Sequence, residues 1–253
     1  MRRLRIVASG TVQRLLRGGA AGFVPVATDL IKNGLFTKLL LPHAEESEVV
    51  LMSEQNSVKP LISEDALDRL FRRARSFNDF IAQPVTDAEL RALYDLAKWG
   101  PTTANSQPQR VVFVRSAGAK QRLAPALSSQ NRKKALGAPV VAILAYDMRF
   151  YEHLPRLFYN PQARSWYETT PEHIRTTALR NATLQGAYLM LAARAIGLDC
   201  GPMSGFNNEM VDAAFFPDGR FKSNFLCCLG HGDPSTLPQQ DYRFAFDETC
   251  TIL

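Results

Sequence analysis

Hydrophobic and polar positions along this chain follow two periods, and the changes between them mark out the elements. Ser63 precedes Glu64 and Asp65, and Ala66, Leu67, Leu70 and Phe71 follow at helical spacing, so a first helix runs into the basic stretch Arg72-Arg73-Ala74-Arg75. Thr86-Asp87-Ala88-Glu89 reads as a capping box. It opens a helix carrying Leu90, Leu93, Tyr94 and Ala97, which stops at Gly100-Pro101. A polar loop spans Thr102 to Pro108, followed by a short buried strand from Arg110 to Arg115. Ala119 to Ala126 reads as a helix and Asn131 to Leu136 as a further helical turn. Pro139 to Tyr146 is apolar at consecutive positions, the pattern of a strand covered on both faces.

Residues 147–170 are rich in aromatics and proline and read as an irregular lid with short helices. Ile174 to Ile196 forms the longest predicted helix, apolar over most of its circumference, with Gly197 as its C-cap. A short helix follows Asn207 from Asn208 to Phe215, and Asn224 to Leu229 reads as a strand. Gly232 to Leu253 has no strong period. Three or four strands among helices, without regular βαβ repetition, predict an α+β fold.

Composition adds limits. Of 253 residues, 46% are hydrophobic and 21% charged, which excludes a collagen-like, disulfide-scaffold or wholly disordered chain. The net charge of +6 belongs to residues 1–43, with seven Lys or Arg against one Asp, while the remainder is balanced. The basic character is therefore no nucleic-acid footprint of the folded part. The most apolar run, Asn181 to Ala193, is thirteen residues, too few to cross a bilayer. Cys200, Cys227, Cys228 and Cys250 show neither a CxxC nor ligand-like spacing with histidines, so reduced thiols in a cytoplasmic protein are the expectation, with no metal site.

Residues 1–51 read differently from the rest: Arg-rich, then patchily apolar from Leu35 to Leu41, then acidic at Glu45, Glu46 and Glu48. Three readings stand. Met52 is the natural start, with a polar lead-in before the first capped helix; or 1–51 is a mobile extension; or it is a targeting segment, whose composition resembles a transit peptide.

No GxGxxG follows a strand, and no Walker loop, HExxH or GxSxG is present, so dinucleotide-fold, P-loop and nucleophilic-hydrolase chemistry lack support. What remains is a set of polar and cationic clusters. Arg75, Ser76 and Asn78 follow the first helix. Pro101, Thr102, Thr103, Asn105 and Gln107 sit between helix and strand. Asn131 and Lys134 lie one turn apart on one helix face, Pro202, Met203, Ser204 and Gly205 follow the long helix, and Arg243 stands in the tail. Together they suit a large planar ligand with an anionic end: cations for a phosphate, amides and loop N–H groups for the edges of a heteroaromatic ring.

The order R-S-x-N, W-G-P-T-T-A-N-S-Q-P, N-x-x-K, G-L-D-C-G-P-M-S-G-F and a tail arginine resembles the FMN-dependent nitroreductase family over about residues 63–253. YDLAKWGPTTANSQP, ALSSQNRKKALGAPVVAILAYDMRFYEHLP and ARSWY are similar to its malonic semialdehyde reductase branch, which acts in pyrimidine degradation. The resemblance implies an α+β fold with a mainly antiparallel sheet flanked by helices, built from residues 52–253 as an intertwined homodimer. It implies FMN as cofactor, NADPH or NADH as reductant, and a small-molecule aldehyde or other electron acceptor reduced by ping-pong hydride transfer, with no membrane or nucleic-acid partner.

By the same resemblance, Arg75, Ser76 and Asn78 hold the flavin phosphate and ribityl chain together with Lys134 and Arg243. Asn131 and Lys134 meet the pyrimidine edge of the ring. Met203, Ser204 and Gly205 lie beside N5, Pro101, Thr102 and Thr103 reach the flavin of the other subunit, and Asn105, Gln107 and Pro202 are further cofactor-binding candidates. No acid for the substrate oxygen is identified. His153 and Tyr151 are candidate donors, and Arg156 and Arg164 are candidate carboxylate binders. Two alternatives stay open: a broad nitro- or quinone reductase, and a non-catalytic flavin-binding protein. A chain beginning at Met52 is expected to keep the melting temperature and flavin content of the full chain. Two leucines of 1–51 docked on the core would make the difference about 3–6 kcal/mol, a large drop on truncation.

Overall fold

The computed structural model describes residues 61–168 and 170–253. The expectations for residues 1–51 lie outside the described residues. The first helix is short. Ser63 accepts the Ala66 N–H and caps α1 (Glu64–Leu67), which widens into a π-turn over Asp68–Arg72. The capping box at Thr86 is formed in both directions, the Thr86 hydroxyl accepting the Glu89 N–H and Glu89 accepting the Thr86 N–H, and it opens α2 (Asp87–Ala97). β1 (Gln109–Val114), α3 (Ala117–Leu123), α4 (Ser129–Gly137), β2 (Val140–Asp147) and α5 (Leu154–Leu157) follow. The chain continues through α6 (Pro171–Ala195), β3 (Asp199–Met203), α7 (Asn208–Phe215), β4 (Phe221–Gly230) and α8 (Phe246–Thr249).

The strands form one antiparallel sheet in the order β1-β2-β4-β3. β2 is buried at every position. Its alternate residues serve two cores. Val141, Ile143 and Ala145 pack with Leu123, Leu127, Ala135 and Val211 under α3, α4 and α7. Val140, Ala142 and Leu144 pack with Leu93, Ala97, Leu189 and Ala193 under α2 and α6. The sheet is thus sandwiched between two helical layers, and this is why Pro139 to Tyr146 carries no polar alternation.

Two expectations are corrected. β1 is half-buried except at Val114 rather than a buried strand, because it is an edge strand. The stretch from Asp199 to Met203, read as a loop after the long helix, is the other edge strand, where Pro202 is tolerated because one side of the backbone is unpaired.

α6 is long but not uniformly apolar. Its covered face holds Ala178, Ala182, Leu189, Ala192 and Ala193 together with the polar Thr177, Asn181 and Gln185, while Leu184 and Tyr188 are 47% and 40% exposed. Gly197 ends it with φ of +92°, the left-handed turn that glycine adopts without strain. The lid of 147–168 is irregular as expected. Phe150, Leu154, Ala163 and Tyr167 pack with Tyr146 onto Ala178 and Ala182 at the start of α6.

The lid is anchored to the sheet by an ionic cluster that the sequence reading missed. Asp147, the last residue of β2, is fully buried. Its carboxylate accepts from Arg220 Nε and Nη2, both at 2.9 Å, from Arg110 Nη2 at 2.8 Å and from the Arg149 N–H at 2.8 Å. His153 Nε2 sits 3.2 Å from Arg220 Nη2, and Glu152 pairs with Arg220 at 3.2 Å, so two lid residues join the cluster. Burial alone would raise the Asp147 carboxyl, but the hydrogen bonds from Arg220 and Arg149 and the nearby Arg110 charge outweigh it and hold it below the usual carboxylate range.

A depressed folded pKa means that the contribution of Asp147 is complete above the ordinary carboxylate pKa and lost as pH falls through the folded value. Asp147→Ala is expected to lower unfolding free energy at pH 7 by about 3 kcal/mol, by leaving the partly buried Arg110 without a carboxylate and Arg220 with Glu152 alone. The gap to the parent is expected to shrink on acidification. Urea unfolding from pH 7 down through the carboxylate range measures both.

Candidate functional site

The predicted site residues assemble at two places on opposite edges of the sheet. The first is β3. Ser76 bridges to Cys200, and the Phe77 N–H donates to the Cys200 carbonyl at 2.9 Å, so the stretch from Arg75 to Asn78 runs beside this edge. α4 approaches the same edge from below. Asn131 donates to the Gly205 carbonyl at 3.0 Å and Lys134 donates to the Pro202 carbonyl at 3.3 Å, as their one-turn spacing predicts. Gly201 permits this approach: a Cβ there would stand 2.5 Å from Lys134 Cε and 2.3 Å from the Phe77 carbonyl oxygen. Arg75, Ser76, Asn131, Lys134, Pro202 and Gly205, spread over 131 residues of sequence, are thereby gathered along one strand.

Lys134 is the charged centre of this edge. It is 8% exposed, and its only acceptor among the described residues is the Pro202 carbonyl. Burial pushes its amine below the usual lysine range, with Cys228 and Cys227 acting weakly in the opposite sense. A buried ammonium facing one carbonyl retains donor capacity for a second, oxygen-bearing group. Above the same strand end, Met203 and Ser204 join Thr183 and Met190 of α6, Pro202 and Phe225 around an open cavity of about 370 Å³. That volume lies in the range of small-molecule sites. The β2–β4 register shifts here, so that Asn224 bulges out and donates to Thr183 Oγ1 at 2.8 Å. The bulge falls just before Phe225, a residue of the cavity wall.

The tail meets this edge as well. Arg75 Nη2 donates to the Pro238 carbonyl at 2.6 Å, and Gln240 donates to the Arg72 carbonyl at 3.4 Å. Arg243 is exposed and bonds to the carbonyls of its neighbours Asp241 and Tyr242. The structure therefore brings the tail to Arg75 but does not join Arg243 to Lys134 within one chain. Ser76, Asn78 and Ser204 are exposed along the same edge.

The second place is the loop from Pro101 to Pro108, which leads into β1 across the sheet. It does not meet the Lys134 cluster: Thr103 N–H donates to Asn181 Oδ1 at 2.8 Å, Asn105 donates to the lid carbonyl of Leu157 at 2.8 Å, and Gln107 donates to Asn105 at 3.0 Å. Three intervening strand spacings separate the two edges by about 14 Å.

A scan of the chain against family models matches residues 71–231 to the nitroreductase family. A protein of Ralstonia pickettii named as an NADH dehydrogenase/NAD(P)H nitroreductase, HadB, is 55% identical over 191 residues, covering 74% of this chain and 97% of its own. The chain belongs to the nitroreductase family. A similarly named protein of Ralstonia nicotianae is 50% identical over 77% of this chain and all of its own. Among solved structures, a nitroreductase of Exiguobacterium sibiricum in complex with FMN superposes with a TM-score of 0.68 at 20% identity, covering 77% of this chain and 100% of the other. The Bacillus subtilis protein ydfN gives 0.69 at 23% identity over 75% and 99%. The fold is the α+β nitroreductase fold expected from the motifs.

In this family member the lid candidates divide sharply. His153 is taken into the Asp147–Arg220 cluster, and Arg164 is paired with Glu168 at 2.7 Å. Tyr151 packs against Phe150. Arg156 is exposed on α5 and has no carboxylate within ion-pair distance among the described residues. Among the described residues no helix is long and apolar enough to cross a membrane.

Proposed function

We propose that this protein is an FMN-dependent NAD(P)H oxidoreductase whose acceptor is a small aldehyde bearing a carboxylate, malonic semialdehyde being the reading that its sequence motifs favour. The observation that carries the flavin reading is Lys134. A buried amine with a single carbonyl partner among the described residues, packed against Gly201 at the β3 edge, fits the electron-rich edge of a planar heteroaromatic ring. The FMN complex of the Exiguobacterium neighbour and the NAD(P)H in the names of the Ralstonia relatives support the same cofactors.

In this reading Arg75, Ser76, Asn78 and Arg243 receive the phosphate and ribityl chain, Asn131 and Lys134 the ring edge, and Pro202, Met203, Ser204 and Gly205 the opposite side of the ring. The chemistry a bound flavin supplies is two-electron exchange between NAD(P)H and an oxidised acceptor. The chain's part is to position the ring, exclude water and set the local field. Lys134 stabilises negative charge at the ring edge, in a site where low polarity strengthens the interaction.

The separation of the two clusters supports a homodimer. Pro101, Thr102, Thr103, Asn105 and Gln107 stand at the β1 edge, too far across the sheet to serve the β3 site of their own chain, and Leu184 and Tyr188 leave apolar surface on α6 for a second copy. Arg156, an exposed lid cation with no ion-pair partner among the described residues, supports an acceptor with a carboxylate over a neutral one. The expected assay result is that Arg156→Ala raises KM for malonic semialdehyde at least tenfold and leaves KM for a neutral quinone within twofold. Equal effects on both favour the broad nitro- or quinone-reductase reading.

Lys134→Ala and Arg243→Ala are each expected to weaken FMN binding by about 10- to 150-fold, the loss of a charged hydrogen bond. Fluorescence titration of FMN into the stripped protein measures it, and unchanged affinity in both variants defeats the assignment. Because burial lowers the Lys134 amine, and an anionic ligand favours its charged form, FMN affinity is expected to fall as pH rises through that lowered value. Lys134→Met removes this alkaline limb.

A further inference from the structure

The loop that leads into β1 is held in a conformation its own residues resist. Ala104, Asn105 and Gln107 have φ of 49°, 49° and 42°, in the left-handed region, and none is glycine. Such strain persists only where the surroundings over-determine it, and it concentrates at functional sites. Within the loop, the Thr102 hydroxyl accepts the Gln107 N–H at 3.2 Å. The Ser106 hydroxyl, although fully buried, has no partner among the described residues, so that side chain adds nothing to the hold. The Asn105 and Ser106 N–H groups donate to the Thr102 and Thr103 carbonyls, both at 3.0 Å, so the loop is a tight internal turn whose ends are tied from outside.

Both ends of the loop are tied to α6. Asn181 and Gln185 are spaced one turn apart on the covered face of that helix, 1% and 6% exposed, where the neighbouring positions are Ala178, Ala182 and Leu189. Asn181 Oδ1 accepts the Thr103 N–H at 2.8 Å, and Gln185 Oε1 accepts the Gln109 N–H at 3.0 Å. The two amides therefore grip the loop at its entrance and its exit. Asn181 is itself oriented, its Nδ2 donating to the Thr177 carbonyl at 2.9 Å, and Gln109 returns a bond to the Ala182 carbonyl. Buried amides on an apolar helix face need such partners, and here the partners are the backbone of one loop. Asn105 to Leu157 and Arg110 to Gln107 add lateral ties.

We infer that Asn181, seconded by Gln185, is a positioning residue: it clamps the strained loop in the shape that presents Thr102 and Thr103 to the flavin of the second subunit. The inference rests on the reading of that loop given under the proposed function, and its test separates the two. Amide hydrogen exchange at single-residue resolution on the flavin-loaded protein reads the clamp directly. Asn181→Ser retains a group able to bond the Thr177 carbonyl but too short to reach Thr103. Gln185→Met keeps the stem and removes the acceptor.

The expected result is a position-specific signature. Asn181→Ser raises exchange at Thr103 at least tenfold and Gln185→Met does so at Gln109, while the amides of Val140–Asp147 in β2 stay within twofold of the parent. The Asn181→Ser variant also binds FMN about tenfold more weakly. A general loss of stability would raise β2 exchange in step, so a merely structural role does not produce this pattern. Exchange at Thr103 that stays within twofold, or rises only together with β2, overturns the clamp. A released Thr103 with unchanged FMN affinity overturns the proposal at its flavin end and places the error in the reading of the loop. If Asn181→Ser does not fold, Gln185→Met decides the matter at Gln109 by the same criteria.

Discussion

The protein is organised around a strand with no wet face. β2 buries all eight of its residues, and a strand apolar on both sides is stable only if helices cover both. That requirement fixes α2 and α6 on one side and α3, α4 and α7 on the other. It also fixes where chemistry is accessible. With both faces sealed, polar groups that must meet a ligand are left the sheet edges and strand ends, and that is where the clusters lie: Lys134 and Asn131 reach around to β3, and the Thr102–Gln107 loop leads into β1.

This placement explains why the site looks incomplete in one chain. The two clusters were read from sequence as contacts to one ligand, yet they stand at opposite edges of a four-stranded sheet. Folding alone does not bring them together, because β2 and β4 lie between. The proposed homodimer would resolve the geometry, the apolar surface at Leu184 and Tyr188 meeting a second chain and each chain lending its β1 loop to the other's β3 edge. The exposed apolar groups on α6 and the divided site are then two consequences of one arrangement.

Most elements were legible because their signals are local. The capping box at Thr86, the Asn207 cap, the double-faced run of β2 and Gly197 at the end of α6 each depend on a few adjacent residues, and each formed as read. β3 was missed because Gly201 and Pro202 are loop formers, and only its position at the edge makes a proline acceptable there. The Asp147 cluster was missed because Arg110 and Arg220 lie 37 and 73 residues away in sequence and converge only through strand register. A signal existed in that an acid ends a doubly buried strand, a position that demands cationic partners. The joint approach of Asn131 and Lys134 to β3 was legible from their spacing. The Arg243 contact was not, since the tail carries no periodicity to place it.

Two buried charges, treated differently, show how this fold divides stability from function. Asp147 is surrounded by donors until its carboxylate is fully satisfied, and its ionised form is held against burial. Such a group locks the lid to the sheet and has nothing left to offer a ligand. Among the described residues Lys134 is buried with a single carbonyl, and burial works against its charge without a carboxylate to offset it. A cation in that state costs stability in the empty protein, and its cost is relieved by an electron-rich group beside it. Glu and Asp are absent from Ser128 through Pro139 and from Cys200 through Asn208, the two stretches that meet at Lys134. With no carboxylate paired to it among the described residues, Lys134 stays available, and this favours the β3 edge over the better-populated charge cluster at Asp147 as the candidate ligand site.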